Sequence, residues 1–434
     1  MILHYPSERE RLRARLARRE SLFSENLYDT VRGHFKAVRE HGDDHVRTLT
    51  QQYDGTAVQD LVLPADLVRR CVEGIPADLR RAIDQARRHA DEVNTLLLPP
   101  REWTKEVRPG TLVGEKVTPL DTVCLWVPAR KGPLVSTAIM LTVAAKVAGV
   151  RRIVVALPPT AEGKVDEATV AAAALCGATD VACANGVGII AGCTFGTESL
   201  PRAQGIFGPG PAGIAAAMAI AYAHGARTVL GIGPTDSAIH WDGRTSVTQM
   251  AYDFVNESEH GPDSVSLLVT TDAAAAAALE TEIDRVLAAS GLKRAEVVRT
   301  TRGETGMSTI VVCESEAQCV EVVNAFAPEH MLIRCAKRED ALRVRAGIVN
   351  CGEILLGEYT PFSAANYAIG ITAVLPTNAY SRSISGITAR EMLKVSTLGE
   401  LTRDGLAGIR ETIGVLAQFE GLPFHALASE RKFD

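Results

Sequence analysis

The chain is poor in aromatic residues and carries no surplus of positive charge. Only 5% of its 434 residues are Phe, Trp or Tyr, too few to expect the stacking platforms that hold single-stranded nucleic acid. A formal net charge of −6 gives no electrostatic reason to expect any nucleic acid. Long apolar runs are missing too. The most apolar segments are broken by Gly, Pro or charge within spanning length, so no transmembrane helix and no membrane partner is expected. The opening residues, Met1 to Pro6, run straight into a charged stretch, unlike a secretory signal. The nine cysteines are odd in number and include no Cys-x-x-Cys pair. That argues against a disulfide framework and for a reduced, cytoplasmic setting. Neither a repeat of solenoid period nor a low-complexity segment is visible.

What is present is ordinary globular composition, 46% hydrophobic and 23% charged, in a chain long enough for about two to four domains. An Arg- and Glu-rich stretch, Ser7 to Glu20, reads as a solvated helix. Helical runs follow near Tyr28–Tyr53 and Pro76–Leu97, the second stopped by Pro99-Pro100. From Asp121 the pattern alternates. Thr122–Val127, Arg152–Leu157 and Asp180–Ala182 read as buried strands, with helices at Ser136–Gly149 and Asp166–Gly177 between them. Such alternation predicts βαβ units and a mostly parallel sheet. Val265–Thr270, Thr309–Val312 and Met331–Ile333 are strand candidates of a second α/β stretch. The end of the chain is expected to be helical, at Glu391–Leu398 and Thr412–Phe419.

Two motifs carry chemistry. Glu257 and His260 close the helix-like run Thr245–Ser258, just before Gly261-Pro262. Residues three apart share a helix face, their Cβ atoms about 5–6 Å apart. A carboxylate and an imidazole so placed can grip one metal ion, although the same spacing also suits a solvated helix end. Gly208, Gly210 and Gly213 match G-x-G-x-x-G. That pattern fits a dinucleotide fingerprint if a strand precedes and a helix follows. The strand signal before it is poor, and two prolines stiffen the loop. A tight glycine-rich strand-to-helix turn is the alternative, one that can still line a cofactor site.

In order along the chain, several segments resemble the histidinol dehydrogenase family. They are Trp126-Val127-Pro128 with Gly132-Pro133-Leu134 and Ser136, Phe207-Gly208-Pro209-Gly210, Gly233-Pro234-Thr235, and Glu259-His260-Gly261-Pro262-Asp263. Ala327-Pro328-Glu329-His330, Val374-Leu375-Pro376-Thr377, and Glu420 with His425 follow. The resemblance implies an α/β fold of two incomplete Rossmann-like domains with parallel sheets, plus a small helical C-terminal tail. It implies residues 1–26 as a helical arm, 27–123 with 235–376 as one domain, 124–234 as the cofactor-side domain and 377–434 as the tail. It also implies a homodimer in which each tail completes the partner's active site. The implied activity is zinc- and NAD-dependent oxidation of an alcohol to a carboxylate, in two hydride transfers through an aldehyde.

Carried over residue by residue, the resemblance places the metal on Glu257, His260, Asn366 and a tail His425. The family has Gln and Asp where this chain has Glu257 and Asn366. The exchange is compensating and conserves the formal charge around a divalent ion. Glu329 and His330 match the catalytic pair, a water activator and a general base. Thr235, Ser136, Arg130 and Glu420 fall at substrate positions. Trp126, Gly188 and Pro211 fall at cofactor positions, where the last two remove polar contacts. The family's histidine before Val-Leu-Pro-Thr is absent, the chain reading Thr372-Ala373-Val374, and Arg130-Lys131 brings two cations into a loop near the substrate. These changes favour a small anionic alcohol over histidinol, because guanidinium pairs with sulfonate or carboxylate. The segment Phe362–Gly370 looks like the sulfopropanediol dehydrogenase branch, which converts 2,3-dihydroxypropane-1-sulfonate to sulfolactate. L-histidinol oxidation is the alternative. Arg130 and Lys131 can equally serve the cofactor pyrophosphate or face solvent.

Overall fold

A computed structural model describes residues 1–17, 24–130, 132–231, 233–303 and 306–434. Lys131, expected to contribute a cation near the substrate, lies outside the described residues. The chain divides into two compact units, Met1–Leu97 with Asp121–Met392, and Leu98–Leu120 with Leu393–Asp434.

The larger unit holds two all-parallel sheets. One has four strands in the order Asp180–Cys183, Arg152–Leu157, Thr122–Trp126, Gly205–Phe207. These strands are almost continuously apolar because helices cover both faces. Helices Val135–Ala148, Glu167–Cys176, Gly186–Phe195 and Ala212–Ala223 alternate with them. The long helix Glu25–Leu49 buries Val31, Phe35, Val38 and Val46 in the same core as Trp126, Ile189 and Ile206. Residues expected to belong with the other sheet, from 27 to about 62, therefore pack on this one.

The second sheet has six strands in the order Ile2–Tyr5, Thr309–Cys313, Val265–Thr270, Asp236–Trp241, His330–Arg334, Glu353–Leu356. Its two faces bury different residues, in step with the two-residue period of a strand. Ile239, Leu268 and Leu332 face Phe254 and Phe362, whereas Ala238, Val269 and Met331 face Phe326 and Val344. The N-terminus corrects the expected helical arm. Ile2–Tyr5 is an edge strand in register with Ile310–Cys313, burying Leu3 and Tyr5, and the helix Arg9–Leu16 follows it. Four residues are too few to display a strand period in sequence.

The smaller unit is a three-stranded antiparallel sheet, Leu393–Leu401, Thr111–Pro119 and Glu102–Arg108, with helices Arg403–Phe419 and Pro423–Glu430. The tail is thus not purely helical, and Glu391–Leu398 is mostly strand. Val395, Thr397 and Gly399 pair directly with Val117, Glu115 and Val113, and that ladder overrides local helix propensity.

Candidate active site

The four-stranded sheet opens a cavity of about 830 Å³ at the carboxyl ends of its strands. Each strand contributes the residues that end or follow it. Trp126 and Pro128, Pro158, Asn185, then Pro211 and Gly213 all line the cavity. This is where open parallel sheets bind ligands. The glycine-rich segment has the context its motif requires, a strand Gly205–Phe207 before it and a helix Ala212–Ala223 after it. A Cβ on Gly208 (φ 144°) would lie 2.1 Å from the Trp126 carbonyl oxygen, and one on Gly210 would lie 2.6 Å from Ile214. The turn is therefore built on close backbone approach.

Asn185 caps the helix Gly186–Phe195 through Oδ1, which accepts from the Val187 and Gly188 N–H groups at 3.1 and 3.3 Å. Its Nδ2 donates to Asp54 Oδ2 at 2.8 Å. The other oxygen of Asp54 takes the Arg130 guanidinium, which also donates to the Tyr53 carbonyl at 3.1 Å. Arg130 does line the cavity, but its charge is already paired with a buried carboxylate. Gly188 does not line it. A Cβ there would meet Val46 at 3.1 Å, since residue 188 turns into the helix–helix core while Gly186 and Val187 face the cavity.

The six-stranded sheet contributes from its amino ends. The helix Val247–Asn256 passes into a 3-10 turn, Glu257–His260. That turn brings Glu257 Oε2 to 3.2 Å from His260 Nε2. Glu257 is 1% exposed, and this oxygen meets no hydrogen-bond donor among the described residues. Its Oε1 accepts from Asn256 and Asn366 Nδ2 at 2.9 and 2.8 Å. His260 and Asn366 line the cavity together with Asn256, Glu259 and Arg294. Glu257, Glu329 and His330 lie behind that wall.

His330 opens its strand, and Glu329 precedes it. His330 Nε2 is 3.4 Å from Glu329 Oε1 and 3.9 Å from Glu257 Oε2. Nδ1 meets Glu353 Oε1 at 2.5 Å. Asp236, buried at the start of its own strand, anchors Glu329. Asp236 Oδ1 accepts from the Glu329 N–H at 2.7 Å, and the Asp236 N–H donates to Glu329 Oε2 at 3.3 Å. Its Oδ2 accepts from the Asn378 N–H at 2.8 Å. Ala327, just upstream, holds a left-handed backbone (φ 51°), an unfavourable state for a residue with a side chain.

Burial shapes the charges. It pushes the Glu329 carboxyl up to about 7, against the pull of His330. It opposes charging His330, but the Glu329 and Glu257 carboxylates outweigh it and hold that imidazole well above its ordinary value. Burial also opposes ionisation of Glu257, where His330 and His260 win and hold the acid below its ordinary value. Glu353 is pushed up, chiefly by burial. The result is an acid of near-neutral pKa beside a buried imidazole whose charged form is favoured by its carboxylate neighbours.

The remaining expected residues are not gathered here. Thr235 precedes Asp236 without lining the cavity, and its carbonyl accepts from the Val265 N–H at 3.0 Å. Ser136 lines a small separate crevice, which shares Tyr367 with the cavity. Glu420 and His425 belong to the smaller unit, where both are exposed. Sequence reasoning missed Glu353, Asp236, Asn185 and Asp54. Glu353 left one trace, a lone acid opening the apolar run Ile354-Leu355-Leu356.

Comparison with known proteins agrees with this architecture. The Histidinol dehydrogenase family model matches residues 17–433. A histidinol dehydrogenase of Synechocystis sp. is 37% identical over 399 residues, covering 90% of this chain and 89% of that protein. One of Methanothermobacter thermautotrophicus is 30% identical over 96% of both chains. The crystal structure of histidinol dehydrogenase from Elizabethkingia anophelis superposes with a TM-score of 0.92 at 26% identity, covering 100% of this chain and 98% of that one. The chain belongs to the histidinol dehydrogenase family.

Proposed function

We propose that the protein is a zinc- and NAD-dependent dehydrogenase that oxidises an alcohol to its carboxylate in two steps through an aldehyde. The observation that carries this is the buried His330 between Glu329 and Glu257, directly behind the Glu257–His260 pair that opens on the cavity.

The residues fit a divalent cation. Glu257 Oε2 is a buried carboxylate oxygen without a hydrogen-bond donor among the described residues, and it faces an imidazole nitrogen 3.2 Å away; both are ordinary zinc ligands. Glu257 and His260 would hold the ion, with Asn366 beside them. Among the described residues no three His, Cys, Asp or Glu side chains of one chain form a metal set, so the shell is incomplete. His425 of a second copy of this chain would complete it. A dimer would also cover the apolar surface of the smaller unit, where Leu416, Phe419 and Phe424 are 57%, 89% and 81% exposed.

When bound, the metal would supply a Lewis acid for the substrate oxygen, and two NAD molecules in succession would each take one hydride. The chain's own groups move the protons. His330 Nε2 takes the alcohol proton as the first hydride leaves. Glu329 then takes a proton from the water that adds to the aldehyde carbon, and His330 serves again in the second oxidation. Trp126, Pro211 and the glycine turn would line the cofactor.

For the substrate, the names of the relatives support L-histidinol. A second reading is a small anionic alcohol such as 2,3-dihydroxypropane-1-sulfonate. It is favoured by the missing histidine at Thr372-Ala373 and by Arg294, which lines the cavity beside the Glu259 carbonyl. The paired state of Arg130 removes one cation from that second reading. NADH formation from L-histidinol and from anionic diols, with and without a chelator, separates them. No chelator-sensitive turnover of any alcohol would sink the proposal as a whole.

A further inference from the structure

We infer that Glu353 is the positioning residue of His330, holding the imidazole so that Nε2 is its proton acceptor. The inference rests on the reading of His330 as the general base.

Sheet register makes the pair. His330 and Glu353 stand directly opposite each other on neighbouring parallel strands, so their side chains leave the sheet on the same face. Both are buried, at 2% and 8% exposure. Nδ1 and Glu353 Oε1 are 2.5 Å apart, a short contact of the charge-assisted kind. The Glu353 N–H donates to the Glu329 carbonyl at 3.0 Å, tying the two strand openings together. Phe362 closes the other side of the ring, edge-on, with centroids 5.8 Å apart. An ionised carboxylate only accepts hydrogen bonds, so it places the proton on Nδ1. Whenever the ring is neutral, the lone pair is therefore on Nε2, the nitrogen that faces Glu329 and Glu257. A carboxylate behind a catalytic imidazole fixes tautomer and ring orientation, and stabilises the cation formed when the base is protonated.

Glu353→Gln keeps size and packing but removes the charged acceptor. Two readouts test the idea against His330→Ala. In proton NMR of the parent, a far-downfield imidazole resonance that disappears in His330→Ala should also be lost in Glu353→Gln. With L-histidinol or 2,3-dihydroxypropane-1-sulfonate, whichever is turned over, Glu353→Gln should lower kcat by about 100-fold or more. The KM values should stay within about threefold, and a deuterium isotope effect at the oxidised carbon should emerge as hydride transfer becomes limiting. A retained downfield resonance, or kcat within about threefold of the parent while His330→Ala is inactive, overturns the role of Glu353 alone. Full activity of His330→Ala overturns the assignment of the base instead. Gln is close to isosteric, so the test does not hinge on whether Glu353→Ala folds.

Discussion

The four-stranded sheet presents its carboxyl ends to the cavity, whereas the six-stranded sheet presents its amino ends to the charged cluster. At the first edge the chain supplies backbone and aromatic surface. Trp126, a glycine turn and the capped start of the helix Gly186–Phe195 sit there, the arrangement that suits a dinucleotide phosphate. At the second edge it supplies titratable side chains, with Asp236, His330 and Glu353 all opening strands. The carboxyl end of the six-stranded sheet is closed in a different way. Arg334 is 2% exposed there, donating to the Glu358 carbonyl and, at 2.8 Å, to Gln249 Oε1, with Asp253 3.9 Å away. On the proposed function, the two parallel sheets would divide the work, one edge holding a ligand and the other moving protons.

The largest effect should come from the amino edge of the six-stranded sheet. Glu329→Gln should slow the second oxidation by about 10²–10⁴-fold, so that each alcohol yields one NADH in place of two. An unchanged NADH yield would break the division of labour. At the opposite edge, Gly208→Ala forces a Cβ to within 2.1 Å of the Trp126 carbonyl. It should cost about 1–3 kcal/mol in thermal unfolding and weaken NAD binding measured by calorimetry, without selectively stalling the second oxidation.

The closed end of the six-stranded sheet should respond to pH. Burial pushes Asp253 up to about 6, against the pull of Arg334, while an unfolded Asp titrates near 4. The folded state therefore binds this proton more tightly. The stabilisation is full below about pH 4 and lost as pH rises through about 6, a change on the order of 2 kcal/mol. Relative to the parent, Asp253→Asn should gain stability by that amount between pH 4 and 7 in denaturant titrations, and a constant offset would contradict it. The smallest effect is expected from Gly188→Ala. Its added methyl meets Val46 and not the cavity, so the KM for NAD should stay within about twofold and stability within about 1 kcal/mol.

Much of this was legible in residue order. The buried strands Thr122–Trp126, Arg152–Leu157 and Val265–Thr270 announce themselves as short apolar runs between helical periods. The resemblance implied that Glu257, His260, Glu329 and His330 share one site, and the structure places these four titratable residues close together. Gly188 was misplaced because matching positions says nothing about which way a helix turns. The strand Leu393–Leu401 was misread because its partner, Thr111–Pro119, lies nearly 300 residues away.

The sequence by itself determined the alternation of strand and helix and the glycine turn, because each is written in neighbouring residues, and it carried the Pro328-Glu329-His330 motif on which the family resemblance rests. Tertiary structure alone decided that Glu353 stands behind His330, that Asp54 neutralises Arg130 and that Asp236 anchors Glu329. Strand register and helix packing join residues from distant parts of the chain, and such pairings leave no periodic trace along it.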